Sequence, residues 1–420
     1  MSSTHVLIIG GGIGGLALAQ GLRKHKITFT IFERDPTPAS RAQGYRIRVA
    51  GIGAEALYGC LDDKLWDFFE KSCAAMEFGA SSLNALDASN LPTPGPPGGF
   101  GKGSHRYRSG SDVTVSSKVK PAYTVDRTML RALLLLGQDE NIKFGKSFTH
   151  YEITAEGIKA FFADGTSTEG SLLVGADGIS SPVRKQLLPH QRYVDVNTRA
   201  IFGKTPITPE LEASFAAEAM KHITIIRDPT PFLAFLEPVR FQPNIPQASN
   251  NRLPQMDNYV YWVFAGATDD MGMSDEDFRH LSGKEAAALT RKLTSKWHPT
   301  FKPLFDMQSE EQAAPLRLLS SKPHKPDFSP NSRVTLLGDA VHAMMPAGGS
   351  GANVALSDAA LLVNLLVETK EKEEPVGKEV MTKFWDEMWE LALPAIQASA
   401  EGASKLFGFE GFESTKEVDV

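Results

Sequence analysis

The chain has 420 residues, 42% of them hydrophobic, and is therefore long enough to bury a large core divided among two or three domains. Its net charge of -6 and its pI near 6.0 give no broad basic surface, which excludes nucleic acid as a favoured partner and favours an enzyme of small molecules. Only Cys60 and Cys73 are present, too few for a disulfide scaffold, and we expect both to be buried, inert thiols.

The N-terminal residues predict a cytoplasmic protein. Residues 1–5 lead directly into Val6-Leu7-Ile8-Ile9, without the basic segment and small-residue cleavage site of a signal peptide. No apolar run reaches the roughly 20 residues that span a bilayer, so we expect no membrane anchor. A monomer or a weak dimer is the expected state.

The first 35 residues predict a strand, a glycine turn, a helix and a second strand. Residues 6–9 and 29–32 have buried-strand patterns, and residues 16–25 have helical spacing. The turn between them reads Gly10-x-Gly12-x-x-Gly15. In such a turn the first glycine permits a tight bend, the second lets the backbone approach a pyrophosphate, and the third allows close helix packing. The pattern predicts a βαβ unit that binds a dinucleotide.

Two side chains at the end of the second strand bear on the same ligand. Glu33 follows the glycine turn by about the 20 residues at which an acidic group hydrogen-bonds the adenosine ribose. Arg34 beside it either stacks on the adenine or is solvated, and the sequence leaves both readings open.

The remaining segments predict two further regions around this unit. A β-rich, substrate-facing domain is indicated between about residues 193 and 327, where strand-like runs dominate and no phosphate loop occurs. Residues 242–256 within it are rich in Pro, Asn and Gln and predict a flexible insertion. Other predicted strands are residues 76–86, 148–153, 158–162, 171–175 and 333–337, with helices at 126–136 and 353–366 and a Pro- and Gly-rich surface loop at 91–103.

These patterns predict a discontinuous domain organisation. Residues 1–75, 120–190 and 328–370 form the nucleotide-binding domain, and residues 76–119 and 191–327 form the substrate domain. Residues 371–412 form a C-terminal helical segment, in which Pro394 is expected to introduce a kink. Residues 413–420 are expected to be a disordered tail.

A second motif distinguishes FAD from NAD. The loop that begins Gly338-Asp339 places a carboxylate at the end of a returning strand, which a simple NAD domain does not require. Asp339 either hydrogen-bonds a ribityl hydroxyl or caps the turn. Residues 348–353 open the next helix, whose free N–H groups can approach a phosphate or the pyrimidine edge of a flavin.

Taken in order, the motifs resemble those of the class A FAD-dependent monooxygenases, the para-hydroxybenzoate hydroxylase-like family, and more narrowly its single-component fungal and tetracycline-modifying members. The resemblance covers about residues 5–370 and includes Gly175-Ala176-Asp177-Gly178 with Ser181 and Arg184, a segment associated in the family with FAD and NAD(P)H. It implies an α/β fold: a Rossmann-type FAD-binding domain with a mixed sheet, a β-sheet-rich substrate domain and a C-terminal helix. The motifs and the resemblance together assign to the cofactor Gly10, Gly12, Ile13, Gly14, Gly15, Glu33, Arg34, Arg41, Arg127, Asp177, Asp339, Gly349, Gly351, Ala352 and Asn353.

The resemblance also implies a reaction. NADPH or NADH reduces FAD, and the reduced flavin reacts with O2 to form a C4a-hydroperoxide that hydroxylates or epoxidises an aromatic or polycyclic small molecule, in the manner of secondary metabolism. An FAD-dependent reductase or dehydrogenase on the same fold is the alternative. A flavin halogenase is disfavoured because its tripartite Trp motif is missing, and a carrier without cofactor is disfavoured because the FAD motifs are retained. Where the family often has Gln, this chain has Ser350.

The candidate catalytic side chains are arginines. Arg46 and Arg48 are two residues apart, so on a strand both face the same side and either bind a phenolate, a carboxylate or the peroxide, or form a solvated basic face. Arg199 is a weaker candidate. His342 is expected to be a structural histidine rather than a general base. No His/Cys cluster has metal-site spacing and no Gly-x-Ser-x-Gly elbow occurs, so we expect no metal.

Overall fold

The structure is a computed structural model that describes residues 4–38, 44–92, 117–229 and 232–420. Arg41, one of the candidate cofactor residues, and most of the predicted loop at 91–103 lie outside these ranges. The elements of the first half are β1 His5–Ile9, α1 Ile13–Lys24, β2 Thr28–Phe32, β3 Arg46–Ala50, α2 Ile52–Cys60, α3 Asp63–Ser72, β4 Ala74–Ala75, β5 Ala80–Asn84, β6 Asn90–Leu91, β7 Ala122–Asp126, α4 Arg127–Leu135, β8 Ile142–Lys143, β9 Phe148–Ile153, β10 Ile158–Phe162, β11 Ser167–Gly170, β12 Leu172–Gly175 and α5 Pro182–Leu187.

The second half begins with a long strand that enters the substrate domain. Its elements are β13 Tyr193–Pro206, α6 Pro209–Ser214, β14 Ile223–Arg227, β15 Leu233–Phe241, α7 Ile245–Ala248, β16 Tyr259–Ala267, α8 Asp275–Arg279, α9 Gly283–Leu293, α10 Lys302–Asp306, β17 Ala314–Ser321, β18 Val334–Leu336, α11 Asp339–His342, α12 Gly351–Glu371, α13 Lys378–Phe407 and β19 Lys416–Val418.

The nucleotide domain is built on a parallel sheet with the strand order β18-β12-β1-β2-β8. Strands β1, β12 and β18 are almost entirely buried, as expected for a parallel sheet with both faces covered. Helices α1 and α12 pack side by side and run parallel, because a Cβ on Gly14 would lie 3.5 Å from Ala355 and a Cβ on Gly21 would lie 2.5 Å from Val363. Both helix N-termini therefore lie at the same end of the sheet. A small antiparallel sheet, β11-β10-β9, joins this domain.

The substrate domain is a larger sheet with the order β17-β13-β16-β15-β14-β5-β6, antiparallel except where β14 pairs β5. Side chains alternate across it, so its two faces belong to different cores. The inner face packs toward the nucleotide domain and includes Phe202, Phe235 and Tyr261. The outer face, with Trp262 and Phe264, is covered by α9 and α10. β3, β7 and β4 connect this sheet to the nucleotide domain through β15.

Two predicted irregular segments have regular structure. Residues 242–256, predicted as a flexible insertion, contain α7, and Leu253 is buried. The predicted disordered tail contains β19, which pairs antiparallel with Tyr193–Asp195. The local composition is polar in both cases, but β19 gains pairing with β13, and residues 242–256 are held by internal hydrogen bonds such as Ile245 N–H to Gln255 Oε1.

The long helices of the C-terminal half are part of the core. α12 is apolar and long enough to cross a membrane by length and composition, yet half of its apolar window is buried in the protein, where it packs on α1 and α2. α13 continues through Pro394 as one helix and buries Trp385 and Trp389. Cys60 and Cys73 are free and buried, as expected, and burial raises the pKa of the Cys60 thiol to about 12.

Candidate FAD-binding and active site

The carboxyl ends of three parallel strands bring the predicted motifs together. In the sheet register, Ile9 of β1 lies opposite Gly175 of β12, and Gly175 lies opposite Leu336 of β18. The residues that follow these positions are therefore neighbours, although Ile9 and Leu336 are 327 residues apart in the chain. This edge of an open parallel sheet is where ligands bind in doubly wound folds.

The glycine turn contains two glycines that the surrounding protein requires, Gly10 and Gly15, and one that it does not, Gly12. Gly10 has φ +110°, and a Cβ there would lie 2.3 Å from the Ala176 carbonyl oxygen. A Cβ on Gly15 would lie 2.2 Å from the Gly10 carbonyl oxygen. At Gly12, in contrast, the nearest atom to an added Cβ would be 3.9 Å away. The open space at Gly12 is a cradle that fits a pyrophosphate, since the rest of the protein does not demand a glycine there.

The helix N-termini give this cradle its electrostatic character. Leu16 N–H donates to the Gly12 carbonyl, so the first intrahelical bond of α1 leaves the N–H groups of Ile13, Gly14 and Gly15 without helical acceptors. Gly12 provides no side-chain cap. α12 likewise begins at Gly351 without a side-chain cap. Two positive helix ends thus lie at the same end of the sheet, which favours an anionic ligand there.

Glu33 orders the other side of the turn. Its Oε2 accepts the Gly11 N–H at 2.8 Å and its Oε1 accepts the Asp35 N–H at 2.9 Å. Glu33 is buried, whereas Arg34 is exposed. The carboxylate is therefore fixed beside the turn where the resemblance places the adenosine ribose, and the exposure of Arg34 leaves both of its predicted roles open.

The Asp177 carboxylate is buried near Ser181, Val183 and Arg184, which act against the rise in its pKa that burial causes. Asp177 follows β12 and lies against the glycine turn, because a Cβ on Gly10 would come within 2.8 Å of the Asp177 Cα. Neither carboxylate oxygen has a hydrogen-bond partner among the described residues, although both are buried. Burial raises the pKa of Asp177 to about 6. A buried acceptor without a donor is costly, so its retention here fits a ligand that donates hydrogen bonds.

The Asp339 side chain is surrounded by protein but is accessible to solvent. It therefore lies on the wall of an internal cleft. Its Oδ1 would be 3.9 Å from a Cβ on Gly351, so it borders the N-terminus of α12. Burial raises the pKa of its carboxyl, while the charges of His342 and Arg127 oppose that rise. The Arg127 guanidinium lies 5.5 Å from the Tyr45 ring centroid, and its backbone N–H donates to the Tyr45 carbonyl. Asp339, Arg127 and Tyr45 thus form one wall of the cleft.

Asn353 binds β3 to the start of α12. Its Nδ2 donates to the carbonyl oxygens of Arg48 and Gly349, at 2.9 and 3.1 Å, and its Oδ1 accepts the Ala50 N–H at 2.9 Å. The Gly349 backbone is left-handed, with φ +61°. The Asn353 side chain is thus engaged by backbone groups. What remains available to a cofactor is the backbone N–H of Asn353, together with those of Gly351 and Ala352. Ser350 Oγ donates to the Gly348 carbonyl at 3.3 Å.

His342 is held as a structural residue, as expected from the sequence. Its Nε2 lies 2.8 Å from Asp358 Oδ2, and both side chains are buried. Burial alone would lower the pKa of His342, but the Asp358 carboxylate raises it above its ordinary value. Asp358 Oδ2 also accepts the Gly338 N–H at 2.8 Å, so the pair fixes the turn that carries Asp339.

Arg46 and Arg48 meet the substrate domain and not the solvent. Both guanidinium groups bind the carboxylate of Glu237 on β15, Arg48 at 2.6 Å, and all three side chains are at least nine-tenths buried. Burial and the neighbouring Arg46 charge lower the pKa of Arg48 to about 9. The solvated-face reading of these arginines is therefore wrong. The Arg46 guanidinium also lies 5.7 and 5.8 Å from the ring centroids of Phe235 and Tyr261.

Arg199 is placed away from this cluster, which corrects its candidacy. Its guanidinium binds Asp195 at 2.9 Å and Asp275 at 2.6 Å. On β13 it shares the outer face of the sheet with Ile201, whereas Phe202 faces the nucleotide domain. Among the described residues, no group of His, Cys, Asp or Glu could hold a metal ion.

A small cavity lies between the two domains at Tyr45. Tyr45 from the nucleotide side faces Phe202, Gly203, Gln312 and Leu316 across it. The rings continue inward, with 5.7 Å between the Tyr45 and Phe202 centroids and 6.1 Å between those of Phe202 and Tyr261. The cavity therefore combines apolar side chains with polar groups such as Gln312.

Sequence reasoning missed four residues that complete the site: Glu237, Asp126, Lys204 and Arg131. Glu237 and Lys204 are charged residues within otherwise apolar strands, which was an available signal. Arg131 is four residues after Arg127, and helical spacing puts both on one face of α4.

Comparisons with known proteins agree with this geometry. A family model described as "FAD binding domain" matches residues 325–374, and one described as "NAD(P)-binding Rossmann-like domain" matches residues 8–72. The dual O-methyltransferase/FAD-dependent monooxygenase elcB of Phaeosphaeria nodorum is 36% identical over 458 residues, covering 99% of this chain and 47% of the relative. The FAD-dependent monooxygenase thnD of Trichoderma harzianum is 26% identical over 412 residues, covering 94% of this chain and 92% of the relative.

The chain spans about half the length of the dual-function relatives. A crystal structure matches nearly all of it: a protein of Photorhabdus luminescens subsp. laumondii described as an FAD-containing monooxygenase superposes with a TM-score of 0.78 and 31% identity, over 97% of this chain and 100% of that one. The glycine cradle, the paired helix N-termini and the unpartnered Asp177 carboxylate fit FAD as the bound cofactor. The chain therefore belongs to the FAD-dependent monooxygenases.

Proposed function

We propose that the chain catalyses the NAD(P)H-dependent oxygenation of an aromatic or polycyclic small molecule that binds between Tyr45 and the inner face of the substrate sheet. Bound FAD, reduced by the nicotinamide, supplies the activation of O2. The observation that carries the proposal is the cavity at the domain junction, lined by Tyr45 on the nucleotide side and by Phe202 on the substrate side, whose ring neighbours Tyr261 and through it the Arg46 guanidinium.

The protein's own contribution is to bind, orient and shield. The aromatic rings of Tyr45, Phe202 and Tyr261 pack on a planar substrate through offset and edge contacts and exclude water from the reacting face. In this proposal Arg46 binds an ionised phenol or carboxylate of the substrate. Its Nε is buried and has no hydrogen-bond partner among the described residues, so a ligand oxygen would satisfy it.

The cofactor contacts are proposed in the same way. The N–H groups of residues 13–15 bind the pyrophosphate, Glu33 binds the adenosine ribose, and Asp339 binds a ribityl hydroxyl. Arg127, which borders the same cleft as Asp339, binds the flavin side of the cofactor. The name of elcB joins an O-methyltransferase to the monooxygenase, and O-methylation consumes a phenolic hydroxyl of the kind that aromatic hydroxylation produces. This supports phenolic substrates in secondary metabolism.

Oxygen-18 labelling tests the proposal. Purified, FAD-loaded protein is mixed with NADPH or NADH under 18O2 and with a panel of phenolic carboxylates, naphthols and hydroxyanthraquinones. Substrate-stimulated NAD(P)H oxidation with one labelled oxygen atom in the product supports oxygenation. Turnover without oxygen uptake would instead establish a reductase or dehydrogenase.

A pair of variants tests the role of Arg46. We expect Arg46→Met to retain FAD and to weaken binding of the anionic substrate by about tenfold or more, which corresponds to the loss of one charge-assisted hydrogen bond. Arg240→Met is the matched control, because Arg240 lies on the same strand as Glu237 but pairs with Glu212 at the surface. Full turnover by Arg46→Met and by Arg48→Met would show that neither arginine binds substrate.

A further inference from the structure

Helix α4 contacts the phosphate turn at a second point beyond Arg127. Arg131, one helical turn later, donates from Nε to the Gly11 carbonyl at 3.1 Å and from Nη1 to the Pro38 carbonyl at 2.6 Å. Its Nη2 lies 4.0 Å from Glu33 Oε2. Arg131 therefore holds the turn and the acidic side chain beside it from the α4 side. The position of α4 sets where these groups lie.

The N-terminus of the same helix is fixed by Asp126, whose two carboxylate oxygens serve different domains. Oδ1 caps α4 by accepting the N–H groups of Thr128 and Met129 at 2.7 and 3.3 Å. Oδ2 accepts Lys204 Nζ at 2.5 Å and the Tyr259 hydroxyl at 2.8 Å, both from the inner face of the substrate sheet. One side chain thus joins the start of α4 to the substrate domain.

Burial makes this connection stiff. Asp126 is fully buried and Lys204 is 7% exposed, and the Lys204 ammonium lies 4.1 Å from the Tyr259 ring centroid. Separating a buried ion pair leaves uncompensated charge, so α4 and the sheet cannot shift relative to each other at low cost. The backbone passes close by at Gly44, where a Cβ would lie 2.5 Å from Thr128 Oγ1 and 3.0 Å from Lys204 Nζ.

We propose that Asp126 is a positioning residue for FAD, through which Lys204 and Tyr259 of the substrate sheet set the placement of Arg127 and Arg131 on α4. The inference rests on the proposed contact between Arg127 and FAD. It assigns to the substrate domain a part in holding a cofactor that neither Lys204 nor Tyr259 touches. It also gives a physical reason for a buried Asp–Lys pair at a junction that apolar residues would otherwise fill.

FAD titration of the apoprotein, followed by the quenching of flavin fluorescence, tests the inference. Lys204→Met keeps the α4 cap but removes the ion pair, and we expect it to raise the Kd for FAD about tenfold, equivalent to ~1.4 kcal/mol. Tyr259→Phe removes one hydrogen bond and should have a smaller effect in the same direction. The control is Thr205→Val: Thr205 follows Lys204 but faces outward, where it bonds the Leu304 carbonyl and Trp262 Nε1. It should lower Tm and leave the Kd unchanged.

Two results would overturn the inference. One is a Lys204→Met protein with a lowered Tm and a Kd for FAD within about twofold of the wild type, which would make the pair purely structural. The second result can be obtained even if Lys204→Met does not fold. If Tyr259 and Arg131 both act on FAD through α4, the effects of Tyr259→Phe and Arg131→Met on the Kd must be non-additive. Fully additive effects in the double variant would overturn the inference. Neither result depends on turnover, so a failure of the proposed oxygenation would be seen separately in the labelling experiment.

Discussion

Replacing Asp177 by Asn should stabilise the FAD-free protein while weakening its affinity for FAD. The carboxylate oxygens are buried without partners among the described residues, and burial raises the pKa of Asp177 from its ordinary 3.8 to about 6. At neutral pH the folded apoprotein therefore carries a poorly solvated negative charge. Asn has nearly the same shape and no charge, so the substitution removes that cost.

The sign and size follow from linkage. Because the folded pKa exceeds the unfolded one, the folded state binds more protons between pH 3.8 and about 6, and stability is lost as the pH rises through that window. Above it the full difference of roughly two pH units applies, which is about 3 kcal/mol. At pH 5 the destabilisation caused by Asp177 is about half of this full value. For a chain of 420 residues, 3 kcal/mol corresponds to a rise in Tm of roughly 3 °C.

Differential scanning fluorimetry of apoprotein at pH 5 and pH 7.5 provides the measurement. Asp177→Asn should exceed the wild type in Tm at both values, with the larger gain at pH 7.5, and its Kd for FAD should rise. Asp269→Asn, an exposed acid in the substrate domain, should change neither quantity. A drop in Tm at pH 7.5 for Asp177→Asn would refute the reasoning, since it would mean that the charge is satisfied within the apoprotein.

Three further predictions test other parts of the site. Gly12→Ala should leave the Tm of the apoprotein unchanged but weaken FAD binding in a fluorescence titration. Gly10→Ala should weaken FAD binding and also destabilise the apoprotein by about 1–3 kcal/mol in urea unfolding. The reason is that φ is +110° at Gly10 and the added Cβ would overlap the Ala176 carbonyl. Glu237→Gln should lower the free energy of unfolding by about 3–5 kcal/mol, because two buried guanidinium groups share that carboxylate; a loss below 1 kcal/mol would contradict the buried pairing. Cys60 should react with a thiol reagent at pH 8 only in denaturant, because burial raises the pKa of its thiol to about 12; rapid labelling of native protein would contradict this.

The cofactor half of the site could be read from the sequence because its spacing encodes backbone geometry. Only glycine can adopt the positive φ at Gly10 and fit against the Gly10 carbonyl at Gly15. The local sequence therefore predicts the turn. Glu33 ends the strand that pairs with β1, and its position follows from the length of α1. These constraints act within one βαβ unit, where chain distance and spatial distance are nearly the same.

The substrate half could not be read in this way because its partners are remote in sequence. Arg46 and Arg48 were correctly placed on one face of a strand, but their partner Glu237 is about 190 residues away on another sheet. Arg199 shows the opposite difficulty. The alternation of β13 puts Arg199 and Lys204 on different faces, yet the sequence does not say which face meets the nucleotide domain. Only the packing of two independently patterned domains decides that.

The charges at the junction are matched between domains and not within them. Asp126 of the nucleotide domain pairs with Lys204 of the substrate domain, and Glu237 of the substrate domain pairs with Arg46 and Arg48 of β3. Either domain alone would bury or expose an unpaired charge, so each stabilises the other through contacts that apolar residues could not orient. An apolar junction would tolerate small sliding movements, whereas these hydrogen-bonded pairs specify one relative position. The cavity beside Tyr45 is lined by residues of both domains, so its shape depends on the relative position that these pairs specify.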